Sequence, residues 1–240
     1  MERRLHIVSF DVPYPADYGG VIDVYYKIKA LADQGVSIIL HCYQYGRPEQ
    51  KKLENLCEKV YYYPRLKGIF SALSREPYII YSRRSQSLLS HLLEDDAPIL
   101  FEGLHTCHFL SHPALSNRLR IVRACNIEHE YYHYLAKGAR SLFKKLYFAL
   151  ESYRLRLFEK NLRYAHHILA ITPRERDYFA CRYPEVRVEW VSGFHGDQEV
   201  KSQPGKGDYF LFHGKLSVLE NELTAKRLIR LAPQLPLPLV

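Results

Sequence analysis

The stretch LHIVSFDVPYPADYGGVIDVYYKIKALADQGVSIILHCY, residues 5–43, decides the fold of this 240-residue chain. Its first part, residues 5–12, is an apolar run that predicts a buried strand. After a proline-containing loop, apolar residues at helical spacing predict a helix over 21–33. Gly35 stands where a helix-ending glycine belongs, and residues 36–43 predict a second buried strand. A strand, helix and strand in this order are typical of a parallel sheet that is covered on both faces.

The same alternation continues along the chain. Further strands are predicted at 59–63, 98–101, 119–123, 167–171 and 186–191. Helices are predicted between them at 50–57, 85–93, 127–135, 141–164 and 173–181. We therefore predict an α/β fold with a doubly wound, Rossmann-like parallel sheet, whose ligand lies at the carboxyl ends of the strands.

The domain organisation follows from where this alternation stops and restarts. Residues 1–195 form one predicted Rossmann-like domain, and the polar segment 196–207 is a predicted linker. In 208–240 a strand, a helix and a second strand begin again, too little to fold as an independent domain. We therefore expect the chain to be cut within a second, incomplete domain.

Composition limits the class of protein. The chain is 47% hydrophobic, which excludes a mostly disordered protein. Its five cysteines are scattered without a CxxC pair, which favours a reducing cytoplasm over a disulfide framework. No apolar run approaches the ~20 residues of a membrane span. The sequence has no recognisable DNA- or RNA-binding motif, so nucleic acid is not an expected partner.

The positive charge is concentrated in one predicted helix. Residues 138–164 hold seven basic and two acidic residues, so they carry +5 of the net +8. The same segment has an apolar row at helical spacing: Leu142, Leu146, Leu150, Tyr153 and Leu157. We favour a helix whose apolar row packs against the core and whose basic face is solvated. The alternative is peripheral contact of the helix 141–164 with an anionic membrane.

The loop before the first helix is a candidate phosphate site. It ends in Asp17, Tyr18, Gly19 and Gly20. Glycines let a ligand approach the backbone closely, and a helix N-terminus presents free N–H groups and a positive dipole. The loop matches neither GxGxxG nor a Walker P-loop, so a dinucleotide fingerprint and an ATPase are not supported.

Two more candidate segments follow strand ends. Glu102 and His105 come directly after the strand predicted at 98–101, where a catalytic residue of such a sheet is expected. Arg123, Asn126 and Glu128 follow the next strand and are candidate residues for contact with the acceptor or for the cleft. Asn126 is also a candidate helix N-cap.

A third pattern suggests a different chemistry. His129-Glu130-Tyr-Tyr-His133 matches HExxH, in which two histidines on one helical face bind zinc and the glutamate activates water. Glu151 is the candidate third ligand. The predicted doubly wound sheet is not the usual setting for this motif, so a zinc-dependent hydrolase is the alternative function and no metal is expected.

Together, the order of the motifs resembles the family 4 glycosyltransferases of the GT-B fold. The resemblance spans essentially the whole chain and rests on the Gly19-Gly20 loop, Glu102-Gly-Leu-His105, Arg123-Ala-Cys-Asn-Ile-Glu128, Ala170-Ile-Thr172, Val191-Ser-Gly193 and the restart at 210–221. Cys125 stands where the family has histidine, and Glu220 where it has lysine. These departures leave open a degenerate GT-B module that binds without catalysing.

The resemblance implies a function. The N-terminal domain would bind the acceptor, with Asp17 and Tyr18 among the acceptor or cleft residues. The C-terminal domain would bind most of a nucleotide-sugar donor, whose diphosphate would meet Gly19, Gly20 and Lys215. The sugar is transferred with retention of configuration and without a metal, to a glycan or lipid-linked acceptor in bacterial surface polysaccharide synthesis. The resemblance also implies that a chain without the rest of the donor site is inactive, and that the enzyme works in the cytoplasm or at the inner face of the membrane.

Overall fold

A computed structural model describes residues 3–67, 74–197, 199–202, 204–214, 216 and 219–240. Within these residues a seven-stranded parallel sheet has the order β3-β2-β1-β4-β5-β6-β7. The strands are β1 (Arg3–Ser9), β2 (Val36–Gln44), β3 (Lys59–Pro64), β4 (Ile99–Glu102), β5 (Arg120–Ala124), β6 (His167–Ala170) and β7 (Arg187–Trp190). The predicted α/β fold with a parallel sheet is confirmed.

Helices connect these strands and cover the sheet. They are α1 (Gly19–Asp33), α2 (Lys51–Glu54), α3 (Tyr78–Tyr81), α4 (Gln86–Leu92), α5 (Glu128–Gly138), α6 (Leu142–Phe158), α7 (Pro173–Arg182) and α8 (Leu219–Leu231). Short 3-10 turns lie at Leu104–Phe109, Pro113–Leu115, Glu159–Tyr164 and Ala232–Gln234. The basic segment predicted as one helix over 141–164 is therefore α6 followed by a 3-10 turn.

The core lies on both faces of the sheet, because successive side chains of a strand point to opposite sides. Ile7 and Val8 of β1 are both fully buried, each in a different apolar cluster. Val24 and Ile28 of α1 pack in the cluster of Ile7. Both faces of the central strands are buried, which explains why their sequences are continuous apolar runs.

The order of the strands reverses beside β1. The chain runs from β1 outward through β2 and β3, and then returns to place β4 on the other side of β1. In open α/β sheets the ligand binds at the carboxyl ends of the strands at such a switch point. The strand β1 ends at Ser9, three residues earlier than predicted. The chain turns there, where the Ser9 hydroxyl donates to Asp11 O and Asp11 Oδ1 accepts from Val12 N.

The last part of the chain repeats the strand–helix–strand pattern. Phe210 and Leu239 form a parallel bridge, with hydrogen bonds of 2.8 Å from Phe210 N to Pro238 O and from Val240 N to Phe210 O. Helix α8 lies between them in sequence. The predicted restart is thus present, while the domain bounds and the linker stay predictions.

Helices α5 and α6 pack side by side, and here the favoured prediction was wrong. Leu142 and Leu146 of the apolar row are 77% and 71% exposed, whereas the buried residues of α6 are Glu151 and Leu155. The row therefore faces solvent and not the core. None of the helices among the described residues is long and apolar enough to cross a membrane.

Candidate functional site

A buried ion network lies under the switch point and joins α1 to β4. The Lys27 ammonium group on α1 donates to both carboxylate oxygens of Glu102 at 2.8 Å and to Asp23 Oδ2 at 3.0 Å. Burial raises the pKa of Glu102, although the charge of Lys27 opposes the shift. All three side chains are about 5% exposed or less. Glu102 therefore has neither a free oxygen nor solvent access.

Arg123 of β5 completes this network. Its Nε and one terminal nitrogen donate to the two carboxylate oxygens of Asp23 at 3.1 and 3.0 Å, and its other donors reach the carbonyls of Val191 and Ser192. Burial tends to raise the pKa of Asp23, but the bonds from Arg123 and the charge of Lys27 outweigh it, so the pKa is lowered.

These contacts correct two roles predicted from the sequence. Glu102 was a candidate catalytic residue and Arg123 a candidate cleft residue, yet they are 1% and 0% exposed. Two acids and two bases balance, so their charges satisfy one another and fix α1 against β4 and β5. Asp23 and Lys27 were not among the predicted site residues, although both interrupt the apolar face of α1 beside Val24 and Ile28.

His105 and Glu128 meet above this network. Gly103 follows β4 with φ of 75°, a left-handed conformation that suits glycine, and turns the chain so that His105 folds back. The His105 ring lies 5.5 Å from the Phe10 ring, and its Nδ1 is 3.8 Å from Glu128 Oε1. Nδ1 is buried and has no hydrogen-bond partner among the residues that the structure describes.

The two groups have strongly shifted proton affinities. Burial raises the pKa of Glu128 to about 7, although a hydrogen bond with Asn126 and the charge of Arg83 oppose the shift. Burial, together with the charges of Arg83 and Arg65, holds the pKa of His105 well below its usual range. At neutral pH the imidazole is therefore uncharged, and the carboxyl group exists in both protonation states.

Two neighbours shape this pair. Arg83, which is 5% exposed, donates to Phe10 O at 2.8 Å and to Ile79 O at 2.6 Å, so it ties the chain after β1 to α3. Burial lowers its pKa to about 10, and it stays a cation at neutral pH. Asn126 is exposed beside Glu128 and is not the predicted cap, since the cap residue of α5 is Ile127.

The loop that ends in Gly19 and Gly20 also approaches Phe10. A Cβ atom on Gly20 would come within 2.8 Å of the Phe10 ring, whereas a Cβ on Gly19 would meet nothing within 4 Å. Gly20 is thus needed for close packing and Gly19 faces open space at the N-terminus of α1. Lys215, the third residue predicted to bind the diphosphate, lies outside the described residues.

The other two loop residues are held within the loop. Asp17 pairs with Arg47, whose guanidinium group lies 5.1 Å from the centre of the Tyr18 ring. The Tyr18 hydroxyl donates to Asp11 Oδ2 at 3.0 Å, and burial is the main cause that raises its pKa. The Asp17 side chain is 54% exposed, so it stays accessible at the rim, while Tyr18 braces the loop.

The HExxH segment does not gather its predicted zinc ligands. His129 Nε2 shares a 2.9 Å hydrogen bond with Tyr178, and Glu130 pairs with Arg174. Glu151 accepts from Tyr78 N at 2.6 Å and from Arg154 at 3.0 Å, so it is not a third ligand. Among the described residues no three His, Cys, Asp or Glu side chains are placed to hold a metal ion.

Comparison with known proteins gives one curated relative of interest. It is an uncharacterized 44.6 kDa protein in the cps region of Klebsiella pneumoniae, 27% identical over 165 residues, which are 66% of this chain and 42% of that protein. The chain therefore spans less than half of the relative's length. No protein-family model matches the chain.

Solved structures with a similar fold are plant glycosyltransferases. UGT2 of Phytolacca americana, complexed with UDP-2fluoro-glucose and pterostilbene, has a TM-score of 0.53 at 13% identity over 89% of this chain and 60% of that one. UGT71G1 of Medicago truncatula, complexed with UDP-glucose, has a TM-score of 0.52 at 12% identity, over 90% and 61%. The chain thus has the α/β fold of GT-B glycosyltransferases, whereas family 4 in particular is not distinguished by these matches.

Proposed function

We propose that this chain is the acceptor-binding part of a glycosyltransferase, which transfers a sugar from a nucleotide-sugar donor to a glycan or lipid-linked acceptor. The observation that carries the proposal is that the N-terminus of α1 and the His105–Glu128 pair meet around Phe10 at the switch point of the sheet. The shared fold with proteins solved with UDP sugars supports it. The relative from a cps region supports a role in bacterial surface polysaccharide synthesis.

In this proposal the α1 N-terminus stabilises the diphosphate of the donor. The N–H groups of Gly19 and Gly20 and the helix dipole favour the negative charge that grows on the leaving group. Gly19 has no side chain in the open space before the helix, so phosphate oxygens can reach its backbone. Lys215 adds a positive charge from the following part of the chain.

His105 and Glu128 act on the acceptor or on the transferred sugar. The His105 side chain is 24% exposed although its Nδ1 is buried, so the exposed part of the neutral imidazole can form a hydrogen bond to a sugar hydroxyl group. Glu128 Oε1 lies 3.8 Å from His105 Nδ1, close enough to act on it electrostatically. With a pKa of about 7, the Glu128 carboxyl group can hold or release a proton at neutral pH. We propose transfer with retention and without metal, with Asp17 and Asn126 at the rim.

The role of the helix N-terminus is tested with two substitutions of Gly19 in the product of the complete gene. Gly19→Asp places a negative charge where the diphosphate is expected, yet an acid at this position suits the helix dipole and should not unfold α1. The matched control, Gly19→Ala, adds only a Cβ in open space. We expect Gly19→Asp to raise the KM for the nucleotide sugar about tenfold or more through charge repulsion. Equal kinetics for the two variants would reject this site.

His105 is tested by the same assay, with a panel of nucleotide sugars as donors. His105→Phe fills the space beside Phe10 but removes both ring nitrogens, and we expect kcat/KM to fall about a hundredfold or more. Full turnover by His105→Phe, or no sugar transfer with any donor by the complete gene product, would contradict the proposal.

A further inference from the structure

The outer side of α6 carries a continuous apolar surface that the fold does not bury. We name it the α6 stripe, and its residues are Leu142, Phe143, Leu146, Leu150, Tyr153 and Leu157. Their exposed fractions run from 80% for Phe143 to 46% for Leu157. At about 100° per residue they lie within an arc of roughly 100° on one side of the helix. Contiguous exposed apolar patches of this kind mark interaction surfaces.

The inner side of α6 is already fully used. Glu151 and Leu155 are 1% and 0% exposed, and Glu151 bonds the backbone of α3 through Tyr78 N. The hydroxyl of Ser152 donates to the carbonyl of His129 on α5 at 2.6 Å. Packing therefore determines which side of α6 faces outward. A small rotation of the helix would not bring the α6 stripe into the core.

The charges that flank the α6 stripe are positive. Lys145 and Arg156 lie along one edge of the α6 stripe, and Arg154, which pairs with Glu151, lies along the other edge. A groove of about 460 Å³ between α5 and α6 runs along one side. Lys137 and Arg156 line this groove.

The groove has the character of an anion site. It is also lined by His133, Tyr134 and Tyr153. Its one acid, Glu130, is already paired with Arg174, so two cations dominate the space. Tyr153 belongs both to the groove and to the α6 stripe, and the cationic and apolar surfaces therefore touch.

We propose that the α6 stripe docks on an anionic lipid bilayer, with the stripe in the acyl-chain boundary and a headgroup phosphate in the groove of Lys137 and Arg156. An amphipathic helix with basic flanks lies in the plane of the interface in this way. A second copy of the chain is disfavoured as the occupant, since docking stripe on stripe would bring two sets of basic flanks together. Helix α8 meets the opposite flank of α6, near Lys144 and Phe148, and leaves the stripe open.

Charge complementarity thus selects the lipid surface. The inference does not depend on sugar transfer, because binding to vesicles is measured without any donor or acceptor.

The test is co-sedimentation of the 240-residue chain with vesicles of phosphatidylcholine alone or with added phosphatidylglycerol. We expect binding to the anionic vesicles that weakens in high salt, and little binding to the neutral ones. The double variant Leu146→Gln/Leu150→Gln should weaken binding about tenfold or more, because two leucine side chains no longer enter the acyl boundary. Its control, Leu93→Gln/Leu119→Gln, changes two leucines of similar exposure (47% and 40%) outside α6 and should bind normally.

The electrostatic part is tested separately. Lys137→Gln/Arg156→Gln should weaken binding about fivefold or more for each removed charge, whereas Lys51→Gln/Lys52→Gln on α2 should not. Equal binding of the stripe variant and its control would overturn the proposal. So would self-association of the chain that the stripe variant abolishes, since the stripe would then be an interface between copies. Light scattering coupled to size-exclusion chromatography distinguishes that outcome.

Discussion

Replacing Glu128 by glutamine should stabilise the protein at alkaline pH and impair its activity. The Glu128 side chain is buried at the start of α5, and burial raises its pKa from an ordinary 4.5 to about 7. The folded protein thus keeps a proton that the unfolded chain releases. Stability is full below pH 4.5, falls as the pH rises toward 7, and stays at the lower level above it.

The magnitude follows from the shift. One pKa unit corresponds to 1.36 kcal/mol, so the buried carboxylate costs about 3 kcal/mol at pH 8 and about 1 kcal/mol at pH 5. Glutamine is nearly isosteric and carries no charge. Glu128→Gln should therefore raise the free energy of unfolding by about 3 kcal/mol at pH 8 and by about 1 kcal/mol at pH 5.

The assay is equilibrium unfolding in urea at pH 5 and pH 8. The matched control is Glu130→Gln, two positions along the same helix, where the carboxylate pairs with Arg174 near the surface. The control should change stability by less than about 1 kcal/mol at either pH, as is usual for surface pairs. A Glu128→Gln variant that is less stable than the original protein at pH 8, or equally shifted at both values, would refute the reasoning.

Three further predictions concern other buried groups. Lys27→Met should lower the free energy of unfolding by about 3–5 kcal/mol, because it leaves buried carboxylates unpaired. Adding Glu102→Gln should restore part of this stability. Chemical denaturation measures both variants, and additive effects of the two substitutions would argue against the network. Gly20→Ala should lower the free energy of unfolding by about 1–3 kcal/mol, because the added Cβ contacts the ring of Phe10, whereas Gly19→Ala should leave stability nearly unchanged. Equal melting temperatures of the two variants would contradict this. Burial holds the pKa of His41 well below 6.5, so on acidification the unfolded chain takes up a proton before the folded protein does. The free energy of unfolding should therefore fall below pH 6.5 by about 1.4 kcal/mol per pH unit. His41→Gln should remove this contribution in urea titrations, and an unchanged dependence of stability on pH would exclude it.

The sequence predicted the elements well where the signal was local. Continuous apolar runs located the strands, and the restart of a strand–helix–strand pattern after residue 207 was predicted in the same way. His105 and Glu128, two separately predicted site residues, lie close together because residues that follow adjacent parallel strands meet at one edge of the sheet.

Prediction from the sequence was wrong where one sequence pattern is compatible with two different structures. A row of leucines every three or four residues looks the same whether it faces a core or faces outward, so periodicity alone placed the row of α6 inside. The side chains of Glu102 and Arg123 were taken as accessible because strand ends often line a cleft. What buries them is Lys27 and Asp23, about 75 to 100 residues away in the chain.

The neutral ion network also bears on how the proposed site would respond to its ligand. Because the charges of the network cancel, the α1 N-terminus, Arg83 and Arg65 contribute the positive field at the switch point. A diphosphate bound at the α1 N-terminus would add negative charge near Glu128 and would raise the pKa of that carboxyl above 7.

Donor binding by the complete gene product should therefore be coupled to uptake of a proton. Calorimetric titration with a nucleoside diphosphate in buffers of different ionisation enthalpy measures this uptake at pH 7.5. We expect affinity to fall between pH 6.5 and 8.5, and Glu128→Gln to bind with little pH dependence in that interval. Identical pH profiles for the two proteins would place the diphosphate too far from Glu128 for the site as proposed.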